Sequence, residues 1–456
     1  MRYALNPKSE ASRLVGGREL TADDVIFHLK LLITDPNAFV YQSTPGLRTA
    51  NITKTAPWEI TVKVTLEDLI SAIDRFGDSA KLVPPEVVQR YGGQKSWRES
   101  VGTGAFMLTE YVAGSLLAFD KNSNYWMKDP IGPGKGNQLP YLDRVRVLII
   151  PDASTRQAAL RTGKIDQIDR LAMEDAEQMK RTAPGLKEYE VQGQLMTSVA
   201  MRIDMPPFKD LRVRRAMLMA IDFKGLYQSV ARGKGRMLRR PVDPVVKGYE
   251  TLMVEFDDPE RPESVKENYS YNPEKARQLL KEAGYPQGLK TTALMTAPEV
   301  DSWSIYKDFW AKVGIDVDFM VRESGAYNAL ITSKQHPPLV STSGYNPGIF
   351  YAQTAFTGAG NTNRHMINDP FINEIEAKAR LVAVKEGLPQ AMKVVRQMTI
   401  YVLEQALEVP GIDGAAYRLW WPWLKNYSGE DSVGYGNTYW TKFVWLDKEI
   451  KKSMGY

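Results

Sequence analysis

The sequence predicts an α/β protein of more than one domain, and three observations carry that reading. Its 456 residues exceed what one hydrophobic core usually serves. Val145, Val147 and Ile149 alternate before Pro151. A short helix follows, with Ala158, Ala159 and Leu160 in it and Gly163 as its C-cap; Ile165, Gln167 and Ile168 then begin another strand. Strand, helix and strand in succession read as a crossover onto a sheet. A second such unit runs from Asn272 to Val321.

The elements follow in order. Thr21-Ala22-Asp23-Asp24 reads as a capping box, and Val25, Leu29 and Leu32 give the helix after it an apolar face. Thr53 to Val64 reads as a strand pair with Ile60, Val62 and Val64 turned inward, and Pro84-Pro85 is a break. Asn272-Pro273-Glu274 opens a helix as N-cap, N1 proline and early acid; Ala276, Leu279, Leu280 and Ala283 form its face and Gly284 ends it. A strand at Thr291–Met295, a helix around Trp303–Val313 and a strand at Ile315–Val321 complete the unit. Helical spacing dominates from Pro370 to Leu407, broken near Gly387-Leu388-Pro389, and the tail from Arg418 to Trp445 is aromatic-rich and strand- or loop-like. No internal repeat or low-complexity tract interrupts the chain.

Composition narrows the function. A net charge of +5 over this length is mild and does not by itself point to nucleic acid or an anionic membrane. With no cysteine, thiolate catalysis, cysteine-ligated zinc and iron–sulfur clusters are excluded. His28, His336 and His365 show no metal-ligand spacing, and there is no G-x-S-x-G elbow. Gly132-Pro133-Gly134-Lys135-Gly136 lacks the G-K-(S/T) ending of a phosphate loop. The expectation is therefore a protein that is not an enzyme and needs no cofactor or metal. Arg232, Lys234, Arg236, Arg239 and Arg240 form a basic run, read as a solvated loop offset by the acids that follow it. No stretch approaches the roughly 18 apolar residues of a membrane helix. Residues 1–20 carry neither the apolar core nor the cleavage site of a secretory signal.

Several segments then resemble one family in that family's order. Gly17-Arg18-Glu19-Leu20-Thr21-Ala22-Asp23-Asp24-Val25 is similar to G-x-x-L-T-A-x-D-V, and Gly102-Thr103-Gly104-Ala105-Phe106 to G-T-G-P-F with alanine for proline. Asn122, Asn124, Tyr125 and Trp126 match N-x-x-Y-W, and Leu139-Pro140-Tyr141-Leu142-Asp143 precedes Ile150-Pro151-Asp152 as L-P-Y-L-D precedes I-P-D. Thr155-Arg156 and Leu160 through Gly163 to Asp166 resemble T-R-x-x-A-L-x-x-G-x-I-D. Pro207-Phe208-Lys209-Asp210-Leu211-Arg212-Val213-Arg214 matches P-F-x-D-x-R-V-R, with Ala220-Ile221-Asp222 after it. Tyr271-Asn272-Pro273-Glu274-Lys275-Ala276 through Ala283-Gly284-Tyr285 resembles the helix Y-(D/N)-P-x-K-A-x-x-L-L-x-x-A-G-Y. Together these are similar to the family 5 solute-binding proteins of ABC transporters, the dipeptide- and oligopeptide-binding type.

The resemblance implies an α/β, two-lobed periplasmic-binding-protein-like fold of the large type, with an extra subdomain on the first lobe. The expected division is 1–140 for that subdomain, 141–265 for lobe I, 266–413 for lobe II and 414–456 for the return to lobe I. The lobes would be joined by crossings near Arg261–Asn268 and Pro410–Ala416 and would close like a hinge. Family members carry a secretory signal and further strands before the T-A-x-D-V helix, so the expectation is an N-terminally truncated first lobe. It also implies an extracytoplasmic place, periplasmic or attached at the cell surface. The partners would be a small-molecule ligand and the transmembrane subunits of an ABC permease, with no nucleic acid, the receptor itself being a monomer. Peptide is the family's usual ligand, an oligosaccharide the alternative, and a cleft hydrolase the rival from another class.

Peptide-binding members place an aspartate in a second-lobe loop that pairs with the ligand's ammonium. The matching stretch, Pro338 to Phe350, holds no acid, and Ser343 falls near that position. What the region supplies is Tyr345, Asn346, Phe350, Tyr351, Asn361, Asn363 and Arg364, aromatic faces and amides for a neutral group and a guanidinium for a carboxylate. Trp303 and Tyr327 are candidates by position in the second lobe, with core packing the alternative. Trp421, in a cluster with Trp420 and Trp423, is a candidate near the hinge return.

Overall fold

In the computed structural model, which describes residues 1–234, 254, 258–342, 355–356, 363–430 and 439–456, the elements have ends set by local chemistry. The Thr21 amide donates to Asp24 Oδ2 at 2.8 Å, starting the helix Ala22–Thr34 as its capping box predicts. Arg18 forks onto Asp24 at 2.8 and 2.6 Å and onto Glu86 at 2.7 and 2.8 Å, which ties this helix to Pro85–Tyr91. Strands β1 (Asn51–Ala56) and β2 (Glu59–Lys63) form a hairpin whose Ile52, Ile60 and Val62 pack on Leu29 and Ile33. Strands β3 (Phe106–Val112), β4 (Leu116–Lys121) and β5 (Arg144–Leu148) form a separate antiparallel sheet.

The expected crossover from β5 is not made. After the helix Ala153–Arg161, strand β6 (Gln167–Ala172) joins a different sheet, ordered β6-β13-β7, with β7 (Lys187–Met196) and β13 (Ile412–Trp420). The helix is nine residues long and buries only Gln157 and Leu160, Leu160 joining the core beneath β6 and β13 rather than one beneath β5. The alternating row on β5 therefore does not mark a buried face: Val147 and Ile149 are exposed beside Tyr111, whose cross-strand partner Leu117 also faces Val147.

The second sheet is ordered β10-β9-β11-β8-β12, from β8 (Ser198–Met201), β9 (Leu289–Met295), β10 (Ile315–Val321), β11 (Leu339–Thr342) and β12 (Glu408–Val409). Strands β10, β9 and β11 are parallel, and β8 runs antiparallel between β11 and β12. The expected unit of β9, helix Val300–Ala311 and β10 is formed. One face of this sheet is covered by Trp303, Tyr306 and Trp310 with the helices Leu211–Met219 and Pro273–Glu282. Against the other pack Tyr327 and Ile331, from the helix Ser324–Thr332, onto Ala200, Leu294 and Val340. The helices Pro370–Lys385 and Leu388–Glu404 make a further core, separated at Gly387, whose φ of 93° suits glycine.

The chain passes between the two sheets at Met196–Ser198 and again at Val409–Ile412, where Gly411 N donates to Ser198 Oγ at 2.9 Å. The expected first crossing near Arg261–Asn268 is instead mostly a helix, Glu263–Asn268, whose Val265 lies in the second-sheet core and whose Asn268 donates to the Leu403 and Glu404 carbonyls. The second passage overlaps the stretch Pro410–Ala416. Away from these passages, Ile70 packs against the core of the helices Pro370–Lys385 and Leu388–Glu404, and Arg380 reaches Ser71 Oγ.

Candidate functional site

Many of the motif residues turn out to build the fold. Arg214 is buried and spends its guanidinium on the carbonyls of Gln405, Phe208 and Lys209, with burial pushing it down to about 10. Asp210 caps its own helix by accepting Arg212 N at 2.8 Å, and Asn272 does the same for Lys275 N at 3.0 Å. Arg418 is buried against Asp169 at 2.6 Å and the Gly429 carbonyl at 3.0 Å.

Polar groups also gather where the parallel strands end. Ser341 and Thr342 close β11, Thr296 and Glu299 follow β9, and β8 begins opposite Thr342 at Ser198, the end where both passages leave the sheet. Ligands of open α/β sheets bind outside the carboxyl ends of the strands, so this edge is the candidate site. Glu299 Oε2 accepts from Thr296 N at 2.6 Å, Thr296 Oγ1 at 2.8 Å and Ser341 Oγ at 3.0 Å. Tyr327 donates to the Ser341 carbonyl at 2.6 Å, and its hydroxyl stands 3.3 Å from Ser341 Oγ. Burial pushes this phenol up while Arg364 pulls it down and Glu299 adds to the rise, so both charges act on one hydroxyl. Arg364 donates from one terminal nitrogen to Thr342 Oγ1 at 3.0 Å; its Nε is buried and has no partner among the described residues.

The expected site residues separate into three groups. Arg364 and Tyr327 meet in this cluster. Trp303 is fully buried in the second-sheet core with Nε1 on Thr197 Oγ1 at 2.7 Å, and Asn363 staples its own loop by two bonds to Ile367, at 2.6 and 3.1 Å. Trp421 lies in the first-sheet core, stacked on Trp423 at 4.7 Å with Nε1 on the Leu160 carbonyl at 2.7 Å. Tyr345, Asn346, Phe350, Tyr351 and Asn361 lie outside the described residues. Sequence reading missed Glu299, because Thr296-x-x-Glu299 reads locally as a helix cap, which it also is. Its nearness to Ser341 comes from the parallel pairing of β9 with β11.

Among the described residues no group of three or more histidine and carboxylate side chains is placed to hold a metal. His28, His336 and His365 are each buried: His28 accepts Val83 N at 3.3 Å, His336 sits 3.1 Å from the Pro337 carbonyl, and His365 stacks on Phe356 with Nε2 3.4 Å from Glu408 Oε2. A cavity of about 490 Å³ lies over β7 beside the helix Met173–Thr182, lined by Lys180, Arg181 and Lys234 against Glu177, Glu188 and Glu190. Its charges offset one another, with Lys180 already paired to Glu188 at 2.5 Å, and it sits away from the strand ends. No described helix is long and apolar enough to cross a membrane.

The comparisons with known proteins bear on the fold and the family. The chain is 26% identical to haem-binding protein A of Haemophilus influenzae, over 92% of this chain and 77% of that protein. It is 26% identical to di/tripeptide-binding protein 1 of Pseudomonas aeruginosa, over 72% of this chain and 61% of that one. Its fold superposes with a TM-score of 0.75 on the periplasmic binding protein DppA of Helicobacter pylori, solved with the peptide STSA, at 22% identity over 94% of this chain and 82% of that one. The family described as bacterial extracellular solute-binding proteins, family 5 Middle, matches residues 16–363. With a two-domain α/β fold of the periplasmic-binding-protein kind and a polar cluster at the strand ends, the chain belongs to that family of non-catalytic, extracytoplasmic solute receptors.

Proposed function

We propose that this chain captures short peptides in a cleft between two lobes and hands them to the transmembrane subunits of an ABC importer. The observation that carries this reading is the cluster of Glu299, Ser341, Tyr327, Thr342 and Arg364 at the strand ends beside both passages. Several relatives that share the family are di- and tripeptide-binding proteins, and closure over a ligand would favour the state that docks on the permease.

The lobe bounds belong to the same reading. Lobe II comprises the chain between the two passages, residues 198–409, and lobe I the remainder. Within lobe I, the hairpin β1–β2 and the sheet β3-β4-β5 form the extra subdomain, supported by their pairing with no strand of the β6-β13-β7 sheet. The exposed apolar row of Tyr111, Val147 and Ile149 supports a first lobe that is incomplete without further strands. The Haemophilus relative's name raises haem as another solute. With all three histidines buried inside the fold, none offers an axial nitrogen at the strand ends.

The test is a thermal-shift panel of di- and tripeptides with free termini, set beside oligosaccharides. A peptide at a hundredfold over its Kd adds about 2.7 kcal/mol of stability, a clear rise in melting temperature, and is recovered intact. A response to oligosaccharides with none to peptides would overturn the reading.

A further inference from the structure

Away from the passages, the proposed lobes meet at contacts of unequal burial. The four-residue helix Leu69–Ala72 follows the β1–β2 hairpin, and Ala72 roots it in the hairpin core with Leu29, Ile33 and Ile52. Three residues on, Arg75 is buried, donates Nε to Thr44 Oγ1 at 3.1 Å and lies over the Phe39 ring at 5.1 Å. The element is thereby fixed to its own lobe while its tip reaches the other. Ile70 packs against the core of the helices Pro370–Lys385 and Leu388–Glu404, and among the described residues of that cluster it alone comes from outside residues 198–409. Ser71 beside it is buried and accepts from Arg380, whose guanidinium is steadied by Glu376 one turn earlier on the same helix.

The side chains of Arg380 and Glu376 are 13% and 17% exposed. Those of Arg232 and Glu174, which also pair across the lobes, are 47% and 75% exposed. An exposed ion pair contributes little, whereas groups shielded from water lose their compensation when pulled apart. A hinge that opens about the passages has to draw Ile70 out of the second-lobe core and Ser71 off Arg380.

We propose that Ile70, Ser71 and Arg380 form a clasp that holds the lobes together once they have closed, so that breaking it limits the release of a captured solute. This rests on the receptor reading above and adds to it a device that sets how long the solute stays. The empty chain closes part of the time through the same contact, and a receptor whose competent state is populated in advance binds more tightly by that fraction.

The experiment compares the wild-type chain with Ile70→Ser, with Arg380→Met, and with Arg232→Gln as the exposed control. Arg380→Met is made together with Glu376→Gln, so that no shielded carboxylate is left without its cation. Release of tri-alanine is followed by tryptophan fluorescence in stopped flow. Spin labels at Lys63→Cys and Lys378→Cys, exposed positions in β2 and in the helix Pro370–Lys385, report the distance between the lobes without peptide. Both clasp variants should release the peptide about fivefold faster or more, with association changed by less than about twofold. They should also lose a short-distance population that the peptide-free wild type shows, and Arg232→Gln should match the wild type in both readouts. Unchanged release and distances in the two clasp variants would overturn the clasp. So would faster release with no change in distance, which places the effect in the pocket, or an Arg232→Gln chain that loosens as much. If tri-alanine and every other peptide of the panel leave the wild type unmoved, the receptor reading falls and the label distances alone decide the clasp.

Discussion

The two sheets joined by the passages at Met196–Ser198 and Val409–Ile412 are built differently. The five-stranded sheet is covered on both faces, by Trp303, Tyr306 and Trp310 on one side and by Tyr327 and Ile331 on the other. The three-stranded sheet rests on a cluster around Trp421 and Trp423, with Trp420 of β13 in a smaller one beside Leu424, Tyr427 and Val444, and Tyr189 on its edge strand β7 is about half exposed. The strand-end cluster of Glu299, Ser341, Tyr327, Thr342 and Arg364 sits on the rim of the better-covered sheet.

That difference can be broken at its strongest point first. Trp310 is fully buried and donates to the Met217 carbonyl at 3.0 Å, so Trp310→Ala should cost about 3–5 kcal/mol in urea unfolding. Trp58→Ala, at a side chain 63% exposed in the β1–β2 turn, should change stability by less than about 0.5 kcal/mol. Equal losses would mean that the second-sheet core does not dominate.

Acid should act next, through His336, which enters β11 buried and neutral. Burial pushes its pKa down to about 4. The unfolded chain binds this proton below about pH 6.5 and the folded one only near pH 4, so the contribution is full above pH 6.5. It falls by roughly 3 kcal/mol as pH drops through that window. Denaturation midpoints from pH 7 to 4 should show this slope, flattened in His336→Asn.

The passages themselves sharpen the comparison. A Cβ on Gly411 would meet the Met196 carbonyl oxygen at 2.1 Å and the Ser198 nitrogen at 3.0 Å, so Gly411→Ala must push the two crossing segments apart. A loss of about 1–3 kcal/mol is expected. A smaller effect belongs to the first sheet: Asp169→Asn weakens the half-exposed partner of buried Arg418 and should cost about 1 kcal/mol. A larger loss there would show that the first sheet leans on this ion pair more than on its tryptophans.

What was legible in the sequence was what is local. The capping box at Thr21, the helix opened by Asn272-Pro273 and the parallel unit of β9 and β10 all carry their instructions within a few residues. What was not legible depends on pairing across long separations. Strand β13 lies between β6 and β7, more than 200 residues upstream, and Ser198 starts β8 opposite Thr342. No local signal says that Met196 leaves one sheet and Ser198 enters another, so the first crossing was placed too late. The site divided the same way. Arg364 and Tyr327 stand at the strand-end edge, whereas Trp421 was drawn into a core by the Leu160 carbonyl and Trp423. Glu299 was hidden behind its own helix cap.

The central claim is that two lobes close on a captured solute. The chain has no cysteine, so labels can be placed without background. Lys63→Cys in β2 and Lys378→Cys in the helix Pro370–Lys385 put exposed spin labels on the two proposed lobes. Pulsed electron resonance should show the distance between them shorten and its distribution narrow when a peptide that raises the melting temperature is added at saturation. An unchanged distance with that peptide bound would contradict closure, and with it this account of how the receptor presents its ligand.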